Sequence, residues 1–371
     1  MRVLMTADAV GGVWTYAMEV CKQLAKHDVC IVLATMGPRP SKLQRTQAEQ
    51  IPKLQLHTAD YKLEWMENPW ADVERAGDWL LNIAARNGID LVHLNGYVHA
   101  ALPWRKPVVV VAHSCVYSWW QAVHGVPPPP HWERYRTMLQ LGLNCAGAIV
   151  APTQAFLEQL RQHHQTMRPS RVIHNARSPG LYSVDDCHSE RAGKEPVVFA
   201  CGRLWDEAKD MRVLDRAAEG LPWPVYVAGS DDSPDGTRFR ATVLHSLGWR
   251  PPEQIAAWLK RSAVFVHPAR YEPFGLSVLE AAHAGCALVL SDIPSLRELW
   301  YDAAVFVNPA DAAALHAALR GLICDPARRR AFGAKARQRA MQFSPERMGE
   351  EYLSLYRALS NSMSARASAV A

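Results

Sequence analysis

"RVLMTADAVGGVWTYAMEVCKQLAKHDVCIVLAT" (Arg2–Thr35) decides the fold. Its first run, RVLMTA, is short and apolar, and a glycine turn closes it, as expected of a buried strand. Trp14–Ala25 then carries apolar residues at helical spacing, and VCIVLAT (Val29–Thr35) is a second strand. Strand, helix and strand in this order form a βαβ unit, whose crossover makes the two strands parallel.

The same alternation continues in both halves of the chain. LVHLNG (Leu91–Gly96), PVVVVAHS (Pro107–Ser114), AIVAPT (Ala148–Thr153) and RVIHNA (Arg171–Ala176) extend the first series. A polar stretch from Arg177 to Glu195, with Pro179, Gly180, Asp185 and Gly193, reads as a linker. A second series follows: PVVFACGRL (Pro196–Leu204), PVYVAGS (Pro224–Ser230), ATVLHSLG (Ala241–Gly248), AVFVHPA (Ala263–Ala269), CALVLSD (Cys286–Asp292) and AAVFVNP (Ala303–Pro309). The expected fold class is α/β, with two Rossmann-like doubly wound domains at residues 1–178 and 190–344. A helix is expected at about 345–360, and the tail NSMSARASAVA (361–371) is expected to be disordered. Two such domains imply a cleft between them, the usual place for a ligand.

The 371 residues suffice for two sizeable cores. With 49% apolar and 21% charged residues the composition is that of an ordinary globular protein. The net charge of +5 is spread along the chain, with no Lys/Arg-rich block, so no nucleic-acid partner is expected. The excess suits anionic substrates, or at most peripheral contact with an anionic membrane surface. The eight cysteines are scattered without a C-x-x-C pair and read as buried reduced thiols. No run approaches the ~20 apolar residues of a membrane span, and MRVLMTADAVGG is a strand and turn rather than a signal region. The expected location is cytoplasmic.

YEPFGLSVLE (Tyr271–Glu280) is the stretch richest in chemistry. Pro273 suits the first position of a helix, leaving the N–H groups of Phe274, Gly275 and Leu276 as orphan donors at a positive helix end. Gly275 lets a ligand approach the backbone, which makes an anion seat. Glu280 would lie roughly 7–8 Å along the helix from Gly275, with Glu272 at the mouth. The plain alternative is a helix start with Glu280 on a solvated face.

Four other strings and a lone histidine bear on function. DAVGGVW (Asp8–Trp14) is a glycine turn between strand and helix but not G-x-G-x-x-G, so a dehydrogenase fingerprint is missing. ACGRLWDEAKD (Ala200–Asp210) sets Arg203 just past a strand with Lys209 six residues on, a pair able to clamp a diphosphate. His113 ends a strand of the first domain, where a lone histidine is either structural or reactive. SDDSPDG (Ser230–Gly236) is a run of turn formers and reads as a solvated loop rather than a metal site. No metal is expected. Eight of the 13 tryptophans fall in the first domain, and YSWWQAVHGVPPPPHW (Tyr117–Trp132) offers an aromatic acceptor platform. Trp14, Tyr117, Trp119 and Trp120 are the acceptor-side candidates.

With these motifs in place, the stretch SLGWRPPEQIAAWLKRSAVFVHPARYEPFGLSVLEAAHAGCALVLSDIPSLREL (Ser246–Leu299) resembles the donor domain of retaining glycosyltransferases of family 4. These have the GT-B fold, two Rossmann-like domains facing across a cleft, with a C-terminal helix that crosses back to the first. Glu272 and Glu280 match the family's E-x7-E motif. The resemblance implies that Glu272 holds donor-sugar hydroxyls and Glu280 the ribose hydroxyls. It implies that Phe274, Gly275 and Leu276, with Arg203 and Lys209, hold the diphosphate. Gly248 and Trp249 fall where the family contacts the nucleobase, Gly12 matches the glycine turn facing the phosphates, and His113 matches the histidine beside the reacting sugar. Two positions depart from the family: GGVWTY lacks a further glycine after its pair, and Asp210 replaces the usual glycine after the lysine.

The implied activity is hexosyl transfer from a UDP- or GDP-linked sugar to a small-molecule, glycan or lipid-linked acceptor, with retention and without metal or other cofactor. The family implies front-face attack, with the departing phosphate accepting the acceptor's proton. The alternatives are a nucleotide-sugar epimerase or phosphorylase of the same fold, and a non-catalytic nucleotide-sugar-binding protein.

Overall fold

The computed structural model describes residues 1–183, 194–233, 236 and 238–370, with side chains as far as Ser362. The chain divides into two compact units: Met1–Gln121, Val126–Ala176 and Pro345–Ala371 form the first, and Ala122–Gly125 with Arg177–Ser344 the second. Most of the expected linker lies outside the described residues.

The first unit is built on seven parallel strands: β1 (Arg2–Asp8), β2 (Cys30–Met36), β3 (Leu54–Thr58), β4 (Leu91–Leu94), β5 (Val108–Val111), β6 (Ala148–Ala151) and β7 (Ser170–Val172). Their order is β3-β2-β1-β4-β5-β6-β7, so the sheet reverses direction of growth between β1 and β4. β4, β5 and β6 are buried along their whole length, which is why β5 and β6 are unbroken apolar runs and β4 departs from one only at His93. The helices of this unit are α1 (Gly12–Lys26), α2 (Lys42–Glu49), α3 (Trp70–Asn87), α4 (Val116–His124), α5 (Glu133–Cys145) and α6 (Gln154–His163). α2 and α6 begin at side-chain caps, Ser41 with a Gln44 capping box and Thr153.

The second unit has β8 (Glu195–Cys201), β9 (Val225–Ala228), β10 (His245–Ser246), β11 (Ser262–His267), β12 (Ala287–Ser291) and β13 (Ala304–Val307). The order β10-β9-β8-β11-β12-β13 repeats the doubly wound pattern, with the switch point between β8 and β11. Its helices are α7 (Met211–Ala218), α8 (Pro252–Arg261), α9 (Leu276–His283), α10 (Pro294–Trp300), α11 (Ala312–Cys324) and α12 (Pro326–Ala340). They cover both faces of the sheet, one core holding Phe199, Phe265, Leu288 and Trp300, the other Val198, Val227, Val264 and Leu319.

The last helix, α13 (Pro345–Val370), belongs to the first unit. Met348, Tyr352, Leu353, Leu355 and Tyr356 join the core built by β1, β2 and α1. A Cβ at Gly349 would lie 2.5 Å from Cβ of Gln23, so glycine is what lets α13 pack this closely on α1. The helix continues through the residues expected to be a disordered tail. Once packing has fixed Tyr352 and Tyr356, propagation is cheap, and Ala and Arg with no Gly or Pro after Gly349 do nothing to stop it.

Two other expectations shift. ATVLHSLG contributes a two-residue strand instead of a long one, because Asp215 takes the N–H groups of Thr242, Val243 and Leu244. Of the seven cysteines described, none forms a disulfide, but Cys145 and Cys324 are exposed rather than buried; Cys187 lies outside the described residues.

Candidate active site

In the second unit the switch point between β8 and β11 gathers the charged residues. β8 runs into the turn carrying Arg203 and Lys209, and β11 ends at His267, from which the chain passes through Glu272 into α9. Lys209 Nζ donates to Glu272 Oε2 at 2.5 Å, and His267 Nε2 is 3.1 Å from the same oxygen. Burial opposes the charge on Glu272, but Lys209 and then His267 overcome it and hold the carboxyl well below the usual range. His267 itself is pushed below its ordinary value by burial. Arg203 is bound by Asp206 through Nε at 3.1 Å and Nη2 at 2.5 Å, so both expected diphosphate cations are paired inside the protein.

The helix does not begin where the sequence suggests. Pro273 and Phe274 lie in the turn, Gly275 is the N-cap at φ 88° and ψ 67°, and Leu276 is the first helical residue. This left-handed backbone suits glycine, and a Cβ there would come within 3.4 Å of Glu272 Cγ. The Phe274 N–H faces Glu272 Oε1 at 3.4 Å. Val278 N–H is already bound to Gly275 O, so the open N–H groups among the described residues are those of Gly275, Leu276 and Ser277. The donor set is displaced by one residue from Phe274–Leu276.

Glu280 lies on α9, one turn and a half into the chain after Gly275, and half-buried rather than solvated. Its Oε1 accepts from Arg177 Nε and from Tyr182 OH, both at 2.8 Å, and Arg177 Nη2 donates to Tyr182 OH at 2.8 Å. These contacts converge on one oxygen, and among the described residues none donates to Oε2. Neither Arg177 nor Tyr182 was a candidate from sequence, since nothing in a polar stretch shows a partner about a hundred residues away. Asp210, the departure from the family's glycine, adopts φ 46° and ψ 47°, the left-handed conformation that a glycine would supply. Its carboxylate accepts from Val213 N–H at 3.3 Å and pairs with Arg270 at 2.6 Å, contacts that offset the strain. Gly248 (φ 67°) and Trp249 (66% exposed) sit beside β10, Gly248 O accepting from Gly229 N–H.

In the first unit, His113 follows β5 and its Nε2 lies 2.8 Å from Asn95 Oδ1. Burial, then the neighbouring His93, push its pKa down to about 3, so it is neutral at ordinary pH. Gly11 caps α1 at φ 109° and ψ −136°, and Gly12 is the first helical residue. Trp14 does not present a ring to an acceptor: it is a core residue, 4% exposed, with its indole N–H on Gln47 at 3.1 Å. Tyr117 is buried with its hydroxyl on Glu133 at 3.1 Å and Arg136 above its ring. Trp119 and Trp120 are half-buried, their rings tilted at 6.0 Å. Among the described residues no cluster of three His, Cys, Asp or Glu side chains could hold a metal, and no helix is long and apolar enough to cross a membrane. SDDSPDG lies partly outside the described residues.

Comparison with known proteins agrees with this architecture. Residues 10–179 match the model of Glycosyltransferase Family 4, and residues 188–339 that of Glycosyl transferases group 1. The chain belongs to glycosyltransferase family 4. This family 4 chain is 26% identical to D-inositol 3-phosphate glycosyltransferase of Corynebacterium efficiens, over 93% of its own length and 90% of the relative's. It is 33% identical to O-antigen chain mannosyltransferase B of Escherichia coli, where the match spans 31% of the chain and 30% of that protein. With alpha-maltose-1-phosphate synthase of Mycolicibacterium smegmatis, 26% identical, it covers 65% of the relative. Among solved structures, sucrose-phosphate synthase of Thermosynechococcus elongatus aligns with TM-score 0.81 at 19% identity, covering 97% of this chain and 99% of that one. Anabaena HepE in complex with UDP-glucose aligns with TM-score 0.76 at 18% identity, covering 97% and 100%. The fold of the family 4 chain is therefore GT-B.

Proposed function

We propose that the chain moves a hexosyl group from a UDP- or GDP-linked sugar to an acceptor hydroxyl, with retention at the anomeric carbon and without a resident metal. The observation that carries this reading is the clustering of Lys209, Glu272 and His267 beside the open N–H groups of Gly275–Ser277. A diphosphate seated at that helix end meets the positive end of the dipole and the cations Arg203 and Lys209, charge stabilisation aimed at the leaving group. Both cations answer one anion each in the free protein, and a bound diphosphate gives each a second. Glu272, kept ionised, suits the donor sugar's hydroxyls, and the uncommitted Oε2 of Glu280 suits a ribose hydroxyl. The binding of UDP-glucose by HepE supports a donor of this class.

In the transfer, the bond from the anomeric carbon to the phosphate oxygen breaks. The acceptor oxygen bonds to the same face of that carbon, and the acceptor's proton passes to the departing phosphate. Glu272 and Glu280 do not form the close carboxylate pair of a retaining hydrolase, since each is bound into a different set of partners. His113 lies in the first unit with a neutral imidazole, fitted to touch a hydroxyl. The acceptor is a small molecule, a glycan or a lipid-linked sugar, taken by the first unit. Proton NMR of products formed from a panel of UDP- and GDP-hexoses tests the reading. It predicts the donor's anomeric configuration in the product. Inversion would exclude the retaining assignment, and epimerised sugar in the absence of acceptor would replace transfer by epimerisation.

A further inference from the structure

Beneath His113 lies a closed polar network that the donor chemistry above does not use. Asn95 follows β4, and its backbone and side chain are both locked onto β1. Its N–H donates to Thr6 Oγ1 at 2.9 Å, and its Nδ2 donates to the Thr6 carbonyl at 2.6 Å. Turning the amide over would set carbonyl against carbonyl, so the orientation is fixed. Oδ1 then faces two imidazole nitrogens, Nε2 of His113 at 2.8 Å and Nε2 of His93 at 3.2 Å. An amide oxygen can only accept. Both histidines therefore carry their proton on Nε2.

The far side of the network agrees. Nδ1 of His93 lies 2.5 Å from the Tyr356 hydroxyl, which donates to it. His93 is 0% exposed, and among the described residues no carboxylate contacts it to support an imidazolium. The groups that face the two imidazoles are Tyr16 from α1, Asn95 after β4, and Tyr352 and Tyr356 from α13, with Cys21 next to the tyrosines. Tyr16 packs edge-on to His113 with ring centroids 4.5 Å apart. None of these groups is charged at neutral pH.

We propose that Asn95 is a positioning residue that fixes His113 as the neutral Nε2–H tautomer, so that Nδ1 is presented to the substrate as a hydrogen-bond acceptor. The partner of His113 is then a hydroxyl, not a phosphate oxygen, because a phosphate oxygen brings no proton to donate. The inference rests on the reading of His113 as a residue that touches substrate; the assignment of its tautomer does not.

Two measurements test it. Nitrogen-15 NMR of the histidine side chains in the free, full-length protein reads the tautomer without any substrate. The expected result is a neutral Nε2–H ring for His113 from pH 5 upward. An Nδ1–H ring, or an imidazolium at neutral pH, overturns the proposal even if the chain never transfers a sugar. The second measurement is Asn95→Asp, which keeps shape and sets a carboxylate between the two imidazoles. An opposite charge at this distance raises a pKa by about 1–3 units. The acid limb of kcat should move upward accordingly, so that the ratio of activity at pH 5 to that at pH 7 falls up to about tenfold below wild type. A structural role alone would lower activity equally at all pH values, and an unshifted profile in a folded, active variant overturns the positioning role. If no donor is turned over, the glycosyl-transfer reading fails and the NMR result stands by itself. If Asn95→Asp does not fold, the wild-type spectrum alone decides.

Discussion

Lys209→Ala should destabilise the second unit by about 3 kcal/mol at pH 7. The pair it breaks is close and largely out of water, with Nζ 2.5 Å from Glu272 Oε2 and side-chain exposures of 17% and 13%. Removing one partner of a buried ion pair costs about 3–5 kcal/mol, because the other charge is left without compensation. Here the loss belongs at the lower end, since Glu272 keeps the His267 contact at 3.1 Å and the weaker Phe274 N–H at 3.4 Å. At about 2–4 °C per kcal/mol for a unit of this size, the corresponding shift is about 6–12 °C. Differential scanning calorimetry of the full chain reads it as a lowered transition of one unit, with the other in place. The pH dependence adds a second check. Because the folded-state pKa of Glu272 is depressed, the pairing contributes stability above the ordinary carboxyl pKa of about 4.3 and loses it as pH falls toward the folded value. Wild type and Lys209→Ala should therefore converge on acidification. Lys209→Met combined with Glu272→Gln should recover most of the loss, since no charge is then left unpaired. A loss under about 1 kcal/mol, or a gap that widens at low pH, would refute the reasoning.

The two glutamates should fail differently. Glu280→Gln should weaken bare nucleoside diphosphate and raise KM, whereas Glu272→Gln should lower kcat and leave nucleotide affinity near wild type, each by about 10- to 100-fold; calorimetry beside steady-state kinetics separates them, and swapped effects would reverse the roles. Gly349→Ala should cost the first unit about 1–3 kcal/mol through its collision with Gln23, read as a lowered transition that leaves the second unit unchanged. Activity should survive EDTA; loss on chelation that Mg²⁺ or Mn²⁺ restores would overturn the metal-independent reading.

How much of this was legible depended on how local each cause is. β1, α1 and β2 could be read because fully buried strands and an amphipathic helix write their burial into adjacent residues. Tyr271–Glu280 was legible as a site because its helix, glycine and carboxylates lie within one short stretch. The true start of α9 was hidden, because Pro273 gives a stronger local signal than the left-handed backbone of Gly275. Arg177 and Tyr182 sit in a stretch that reads as linker, because their partner Glu280 is 103 and 98 residues away in sequence. Asn95 carries no motif, and its significance comes from Thr6, His93 and His113 meeting at the central strands β1, β4 and β5. Trp14 stands among the acceptor-side candidates of the tryptophan-rich first domain, but its place on the core face of α1 buries it. β3 was missed altogether, since LQLHT is half-exposed and short.

The central claim is that the second unit holds a nucleoside diphosphate at the start of α9, with Glu280 on the ribose. Titration calorimetry of UDP, GDP and ADP against wild type and Glu280→Gln tests it most directly. The account predicts that one of UDP and GDP binds wild type with a micromolar Kd, about −8 kcal/mol, and that Glu280→Gln weakens it about tenfold or more. If none of the three binds at millimolar concentration, or if Glu280→Gln binds as tightly as wild type, the donor site is not where the account puts it.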